Sequence, residues 1–290
     1  MGSTSATIAV TVLGGIAYGM LLFVVAAGLA LIVGVMKVMN LAHGASYLAG
    51  TALAYLFADG TLAGLALALA AGLLAATVGG AALAALLRPL RGHTEQAVVT
   101  LGLGGIIAWL FSRFSGGSSL PVPRPGLLDG HLSFAGHGYP IYHLAFIGVA
   151  TLIAVAMHQV LHRSIAGIAL RAAIDDPPIA ATLGLSPGRI RTAAIAVGTA
   201  LAVGAGVLGA PVLGPAPGVD ATVLTLSLIV VILGGAGTNI RALLIAALIV
   251  GMVDYVGAIV LPSLASFSLF LVVIAVLITR RQELRTVVPA

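Results

Sequence analysis

The sequence predicts an all-α fold: a polytopic integral membrane helical bundle of eight or nine transmembrane segments, some of them broken or re-entrant. Three observations carry that prediction. Of the 290 residues, 60% are apolar and 7% are charged, where a water-soluble domain carries about 25% charged residues. The mean hydropathy is +1.20, so the bilayer is the solvent for most of the chain. Uncharged runs long enough to cross, or nearly so, recur from one end of the chain to the other.

In order, the predicted spans are 8–34, 41–58, 62–87, 96–112, 142–162, 192–213, 222–237, 242–261 and 264–279. The opening MGSTSAT has no Lys or Arg and leads into a run too long for a signal-peptide core, so it reads as a retained first span. Several spans are nearer 16 residues than 20, and Gly234, Gly235 and Gly237 interrupt one of them. Such broken or re-entrant helices are tolerated only inside protein or beside a water-filled cavity. The whole chain, 1–290, reads as a single transmembrane domain.

Alternating the spans from an external N-terminus gives an orientation. Lys37, Arg88, Arg91, Arg163, Arg171, Arg189, Arg191, Arg241, Arg280, Arg281 and Arg285 then share one side, and only Arg113 and Arg124 fall on the other. The basic-rich side, with the C-terminus, should be cytoplasmic. The net charge of +5 is therefore a matter of topology rather than of nucleic-acid binding. Residues 113–141 form an extracytoplasmic loop whose Pro and Gly punctuation around HLSF suggests a small hairpin.

In the span 192–213, Ala194, Gly198, Ala202, Gly206 and Ala210 recur every four residues. A ridge of small residues lets helix backbones approach closely. It serves either the bundle or a subunit interface.

The cytoplasmic loop 163–191 carries the most information. IAGIALRAAI reads as a helix, Asp175 and Asp176 follow, and Pro177 and Pro178 open a second short helix, IAATLGL. Asp176 falls at or beside the N-cap, where its charge suits the helix's positive end. Ser186-Pro187-Gly188 is expected to end that helix. Ile179, Leu183 and Leu185 leave an apolar side that needs covering. Either a cytoplasmic protein docks there or the loop packs on its own membrane domain, and the residues alone leave both open.

VMKVMNLAHGASYLAG, at 35–50, places the only lysine, Lys37, close to Asn40 and His43. Asn40 stands where it can cap the next helix, with His43 one turn inside. Either they are a cap and an interfacial histidine, or both face the bundle interior and shape the inner end of a path. Asp254 is the sole carboxylate inside a predicted span. At a cost of roughly 2.5–3.5 kcal/mol near mid-bilayer it should face protein or water and have a partner, with Tyr255 or a histidine as candidates. His158 and His162 have a spacing that can bind metal on one helix face, but with Arg163 adjacent an interfacial pair is the better reading.

Chemistry within the chain is disfavoured. Cysteine is absent, which removes disulfides, thiolate metal sites and cysteine nucleophiles. No carboxylate pair or Ser-His-Asp set stands out, so an intramembrane enzyme is a poor reading. A phosphate-binding loop needs a lysine, and GVMKV around Lys37 does not fit that pattern. A self-sufficient secondary transporter or channel would carry more ionisable groups in its spans.

Three stretches, in order, resemble the permeases of the branched-chain amino acid ABC importer family. G-x-x-L-R-A-x-x-D-D-P-x-x-A-x-x-L-G from Gly167 is similar to that family's cytoplasmic coupling loop. AAGLALIVGVMKVMNLAHGASYLAG is similar to its Asn-x-Ala-His-Gly signature, and VILGGAGT to its Gly-Gly-x-Gly segment. The doubled proline and the Asn239-Ile240-Arg241 insertion depart from the family pattern.

The resemblance implies one of two related permease subunits in a bacterial cytoplasmic (inner) membrane. Two cytoplasmic ATPase subunits would bind ATP and Mg and drive it, and an extracytoplasmic solute-binding protein would deliver branched-chain amino acids. No cofactor would sit in this chain. On this reading Arg171, Asp175, Asp176, Pro177, Ile179, Ala180, Leu183 and Gly184 couple to the ATPase. Asn40, His43, Gly234, Gly235 and Asp254 belong to the translocation pathway. Urea or short amides are alternative solutes within the same family.

Overall fold

A backbone surrounded by hydrocarbon must pair its own amides and carbonyls, and the apolar runs of this chain do so as helices. The computed structural model describes residues 2–37, 39–90, 92–134 and 137–260. Within them lie α1 (Gly2–Met36), α2 (His43–Phe57), α3 (Leu62–Leu87), α4 (His93–Ser115), α5 (Ile141–Arg163), α6 (Ile165–Asp175), α7 (Pro177–Thr182), α8 (Pro187–Gly209), α9 (Val219–Gly234) and α10 (Ile240–Val260). Between α4 and α5 the expected hairpin is present as β1 (His131–Phe134) and β2 (His137–Pro140), antiparallel with Leu132 opposite Tyr139.

α1–α5 and α8–α10 occupy the first eight predicted spans. The ninth, 264–279, lies outside the described residues, as do Arg91, Arg280, Arg281 and Arg285. Among the described residues, six helices are long and apolar enough to cross a membrane. The other two, α2 and α9, have 15 and 16 residues. At 1.5 Å per residue they reach only about 22–24 Å, short of a hydrocarbon core of about 30 Å. The chain is an all-helical, multi-pass membrane protein, and α2 and α9 are its short helices.

These two hold equivalent places. α1–α2–α3 runs long, short, long, and so does α8–α9–α10. α1 packs along α10 as α8 packs along α3, α2 packs on α8 as α9 packs on α1, and α2 and α9 touch each other. α1 and α8 are antiparallel, because Gly28 meets Gly198 while Leu21 meets Gly209. The bundle is thus built from two halves of inverted topology, a plan common among transporters, whose discontinuous helices converge near the membrane midplane.

Close backbone approach holds the halves together. A Cβ at Gly198 would lie 2.6 Å from the Gly28 carbonyl oxygen. The small-residue ridge is therefore internal packing: Gly198 faces α1, Gly206 faces α2, and Ala194, Ala202 and Ala210 are buried. At the end of the bundle away from Lys37, three buried tyrosines donate to main-chain carbonyls. Tyr47 reaches Leu213 at 3.1 Å, Tyr142 reaches Leu208 at 2.6 Å, and Tyr139 reaches Leu13 at 2.9 Å. Burial also pushes the Tyr139 hydroxyl up to about 12.

Lys37, Arg88, Arg163, Arg171, Arg189, Arg191 and Arg241 fall at one end of the bundle, and Arg113 and Arg124 at the other. The first is the basic end of the bundle.

Candidate functional site

α1 ends at the basic end with Lys37 exposed and in the left-handed region, φ 56°. The chain then turns back into the protein. Leu41 N donates to Thr100 Oγ1 of α4 at 3.1 Å, Asn40 Oδ1 accepts from Ala42 N at 3.1 Å, and the Asn40 carbonyl accepts from His43 N at 3.3 Å. Asn40 is therefore not the N-cap, a place taken by Ala42; it forms an Asx turn that ends on Ala42 and leads into the helix. His43 is the first residue of α2 rather than a turn inside it.

Nor is His43 interfacial. It is fully buried, with Nε2 2.9 Å from the Val25 carbonyl. Val25 lies eleven residues before the end of α1, about 16 Å along the helix. α2 therefore starts deep in the bundle. At the same depth a Cβ on Gly44 would overlap the Asp220 carbonyl oxygen and lie 2.8 Å from Leu224 Cβ, so the N-termini of α2 and α9 meet inside the protein. Asp220, in the first turn of α9, is a second carboxylate at depth. The expectation of Asp254 as the sole one missed it, because the predicted span began at 222.

Beside this junction a groove of about 500 Å³ runs between α2, α3, α4 and α8. Its walls are apolar, with Leu53, Leu83 and Leu103 prominent, and its polar points are Ser46 and Thr199. An adjoining space of about 390 Å³, reaching Phe111 and Phe114, shares Ala49, Leu53, Ala75 and Ile107 with it. The Thr199 hydroxyl, Asn40 Nδ2, His43 Nδ1 and the Ser227 hydroxyl are buried without a hydrogen-bond partner. Thr100, Thr199 and Ser227 escaped the sequence reading, since single hydroxyls in apolar helices carry no pattern.

The structure does not gather all the pathway candidates in one place. Gly234 and Gly235 sit at the basic end and shape a turn: a Cβ on Gly234 would lie 2.7 Å from Leu243 Cα, and Gly235 has φ 89°. Just beyond, Gly237 N donates to the Ala30 carbonyl at 2.9 Å. Asp254, half-buried on α10, lies toward the other end. Its partner is the Tyr18 hydroxyl of α1, not Tyr255 or a histidine. Tyr255 instead lies beside Tyr18, with ring centroids 6.4 Å apart and planes tilted by 40°.

The loop 163–191 forms a helical hairpin at the basic end. Ser164 caps α6 by accepting from Gly167 N at 3.1 Å, and Asp176 caps α7 by accepting from Ile179 N at 3.0 Å. α7 closes at Thr182, and Gly184, at φ 82°, turns the chain. Ser186-Pro187-Gly188 does not end this helix: Pro187 opens α8, five residues ahead of the predicted span. Proline's missing N–H costs nothing in a first helical turn, which is why it starts a helix here.

Arg171 turns inward and donates to the Leu161 carbonyl in the last turn of α5, a position where helix carbonyls lack partners. Ala180 is buried, whereas Ile179 is 58% and Leu183 73% exposed. Asp175 and Pro177 are exposed, and Leu185 is half-buried rather than bare. The hairpin thus rests on its own bundle through Ala180 and Arg171 and presents Ile179 and Leu183 outward.

No curated protein and no solved structure matches the chain. A family model described as the permease component of the branched-chain amino acid transport system matches residues 11–279. That span takes in both inverted halves, the buried start of α2 and the α6–α7 hairpin, and the chain belongs to this permease family.

Proposed function

We propose that this chain is the membrane-spanning subunit of an ATP-driven importer and moves branched-chain amino acids across a bacterial cytoplasmic (inner) membrane by alternating access. Two cytoplasmic ATPase subunits, binding ATP and Mg, grip it at the basic end. A second related permease lies beside it, and an extracytoplasmic binding protein delivers solute at the opposite end. The N-terminus is external, following the basic asymmetry of the ends.

The observation that carries the reading is the outward edge of α7. Ile179 and Leu183 are exposed on a capped helix flanked by Asp175, and an apolar edge of that kind is covered by a neighbour. Displacing the hairpin moves α6, and through Arg171 and Leu161 it moves the end of α5. The path is shaped by Asn40, His43 and the groove beside them. An apolar wall with isolated hydroxyls suits an aliphatic amino acid, whose side chain is apolar and whose ends are dipolar.

Reconstitution tests this directly. Liposomes holding the chain with its ATPase, partner permease and binding protein should take up leucine only with ATP. ATP-independent uptake by the chain alone identifies a secondary transporter or channel, and urea uptake in place of leucine reassigns the solute.

A further inference from the structure

Beside the proposed path and hairpin lies a second feature, where α5 and α10 part at the basic end. A polar cavity of about 330 Å³ there is lined by His158, His162, Asn239, Ile240 and Arg241. The two histidine rings stack with centroids 4.4 Å apart, and Arg241 and Arg163 act electrostatically on His158. His158 Nδ1 is buried and lacks a hydrogen-bond partner. Among the described residues, no carboxylate lines the cavity. Cationic and donor groups gathered without a counter-charge are complementary to an anion.

A second cavity, of about 410 Å³, shares His158, Ile240 and Arg241 with the first and runs on between α5, α10 and α1. Its walls include Ile16, Met20, Ile147, Val155, Leu244 and Leu248. From His158 to Ile147 it follows α5 for eleven residues, about 16 Å along the helix axis. A free anion would need only the first cavity. A molecule that fills both has an anionic head at the membrane boundary and a long apolar tail directed into the bilayer.

We infer that this paired cavity is a binding site for an anionic phospholipid, with the phosphate held by Arg241, His158 and His162 and an acyl chain lying in the groove between α5 and α10. Basic pockets between transmembrane helices at the charged boundary of a membrane recognise such headgroups. The inference requires that the chain sit in a bilayer and is independent of which solute it carries or what drives it.

Native mass spectrometry of the full chain, released from mixed micelles, provides the test. Phosphatidylglycerol should be retained at collision energies that strip phosphatidylcholine with the same acyl chains. Arg241→Gln and His158→Gln/His162→Gln should each lower that retention several-fold. Val155→Trp, which fills the groove and leaves the charges in place, should lower it as well. Arg241 and His162 are exposed, so their replacement leaves the core untouched, and a monodisperse elution profile verifies each variant. A thermal melt adds a second arm, in which phosphatidylglycerol should raise the midpoint and inorganic phosphate should not. Equal retention of the two lipids, unchanged retention in Arg241→Gln, or equal protection by inorganic phosphate overturns the assignment.

Discussion

Gly44, in the first turn of α2, lies against the main-chain carbonyl of Asp220, in the first turn of α9. Two helices that start inside the protein thus meet end to end, each from one inverted half. A side chain at Gly44 would force the halves apart. Gly44→Val should cost at least about 1–3 kcal/mol as overpacking and lower the melting temperature or the yield of monodisperse protein. Gly102 and Gly105 on α4 have open space around the Cβ position. Gly→Ala there should be neutral or stabilising by about 0.5–1 kcal/mol. Equal melting of Gly44→Val and Gly105→Ala would contradict the junction.

Arg171 and the Leu161 carbonyl join α6 to α5. A hydrogen bond from a charged donor contributes roughly 1.5–3 kcal/mol. Arg171→Ala should therefore speed amide exchange in α6 by about tenfold or more while leaving the α1–α8 core protected. Hydrogen–deuterium exchange read by mass spectrometry distinguishes this from global loosening, which would raise exchange everywhere.

The two adjacent aspartates have separable jobs. Asp176 caps α7, and Asp175, the last residue of α6, is exposed. Asp176→Ala should destabilise the short helix by about 1 kcal/mol, and Asp176→Ser should restore most of that. Asp175→Lys reverses charge without touching the cap. It should weaken ATPase co-purification while leaving the melting temperature unchanged.

Asp254 and Tyr18 pair across α10 and α1. Asp254→Leu strands the Tyr18 hydroxyl, and Asp254→Asn preserves an acceptor, so uptake and assembly should fall further in the first variant than in the second. Wild-type behaviour of both removes any structural or pathway role for this carboxylate.

Much of the bundle is legible in the sequence, because hydrophobic length marks where helices must be. The hairpin HLSF, the cap at Asp176 and the glycine turn at Gly235–Gly237 follow from local residue chemistry. What hydropathy does not carry is depth. α2 and α9 are mostly apolar, and their hydropathy does not say that they begin at the depth of Val25 rather than at a surface. The stretch GPAPG at 214–218, dense in helix breakers directly before α9, is the one signal that could have pointed to a buried start. Tyr18 and Asp254 lie at opposite ends of the sequence and meet only because the halves are inverted. The lone hydroxyls of Thr199 and Ser227 likewise acquire meaning only from what surrounds them.

The central claim is that the α6–α7 hairpin is where a separate motor holds this chain. Because the chain has no cysteine, Leu183→Cys introduces a unique label site at an exposed position. A membrane-impermeant maleimide should modify it in inverted vesicles lacking the ATPase, fail to modify it in intact cells, and be blocked when the ATPase is bound. Modification from outside intact cells, or labelling undiminished by the ATPase, contradicts the account.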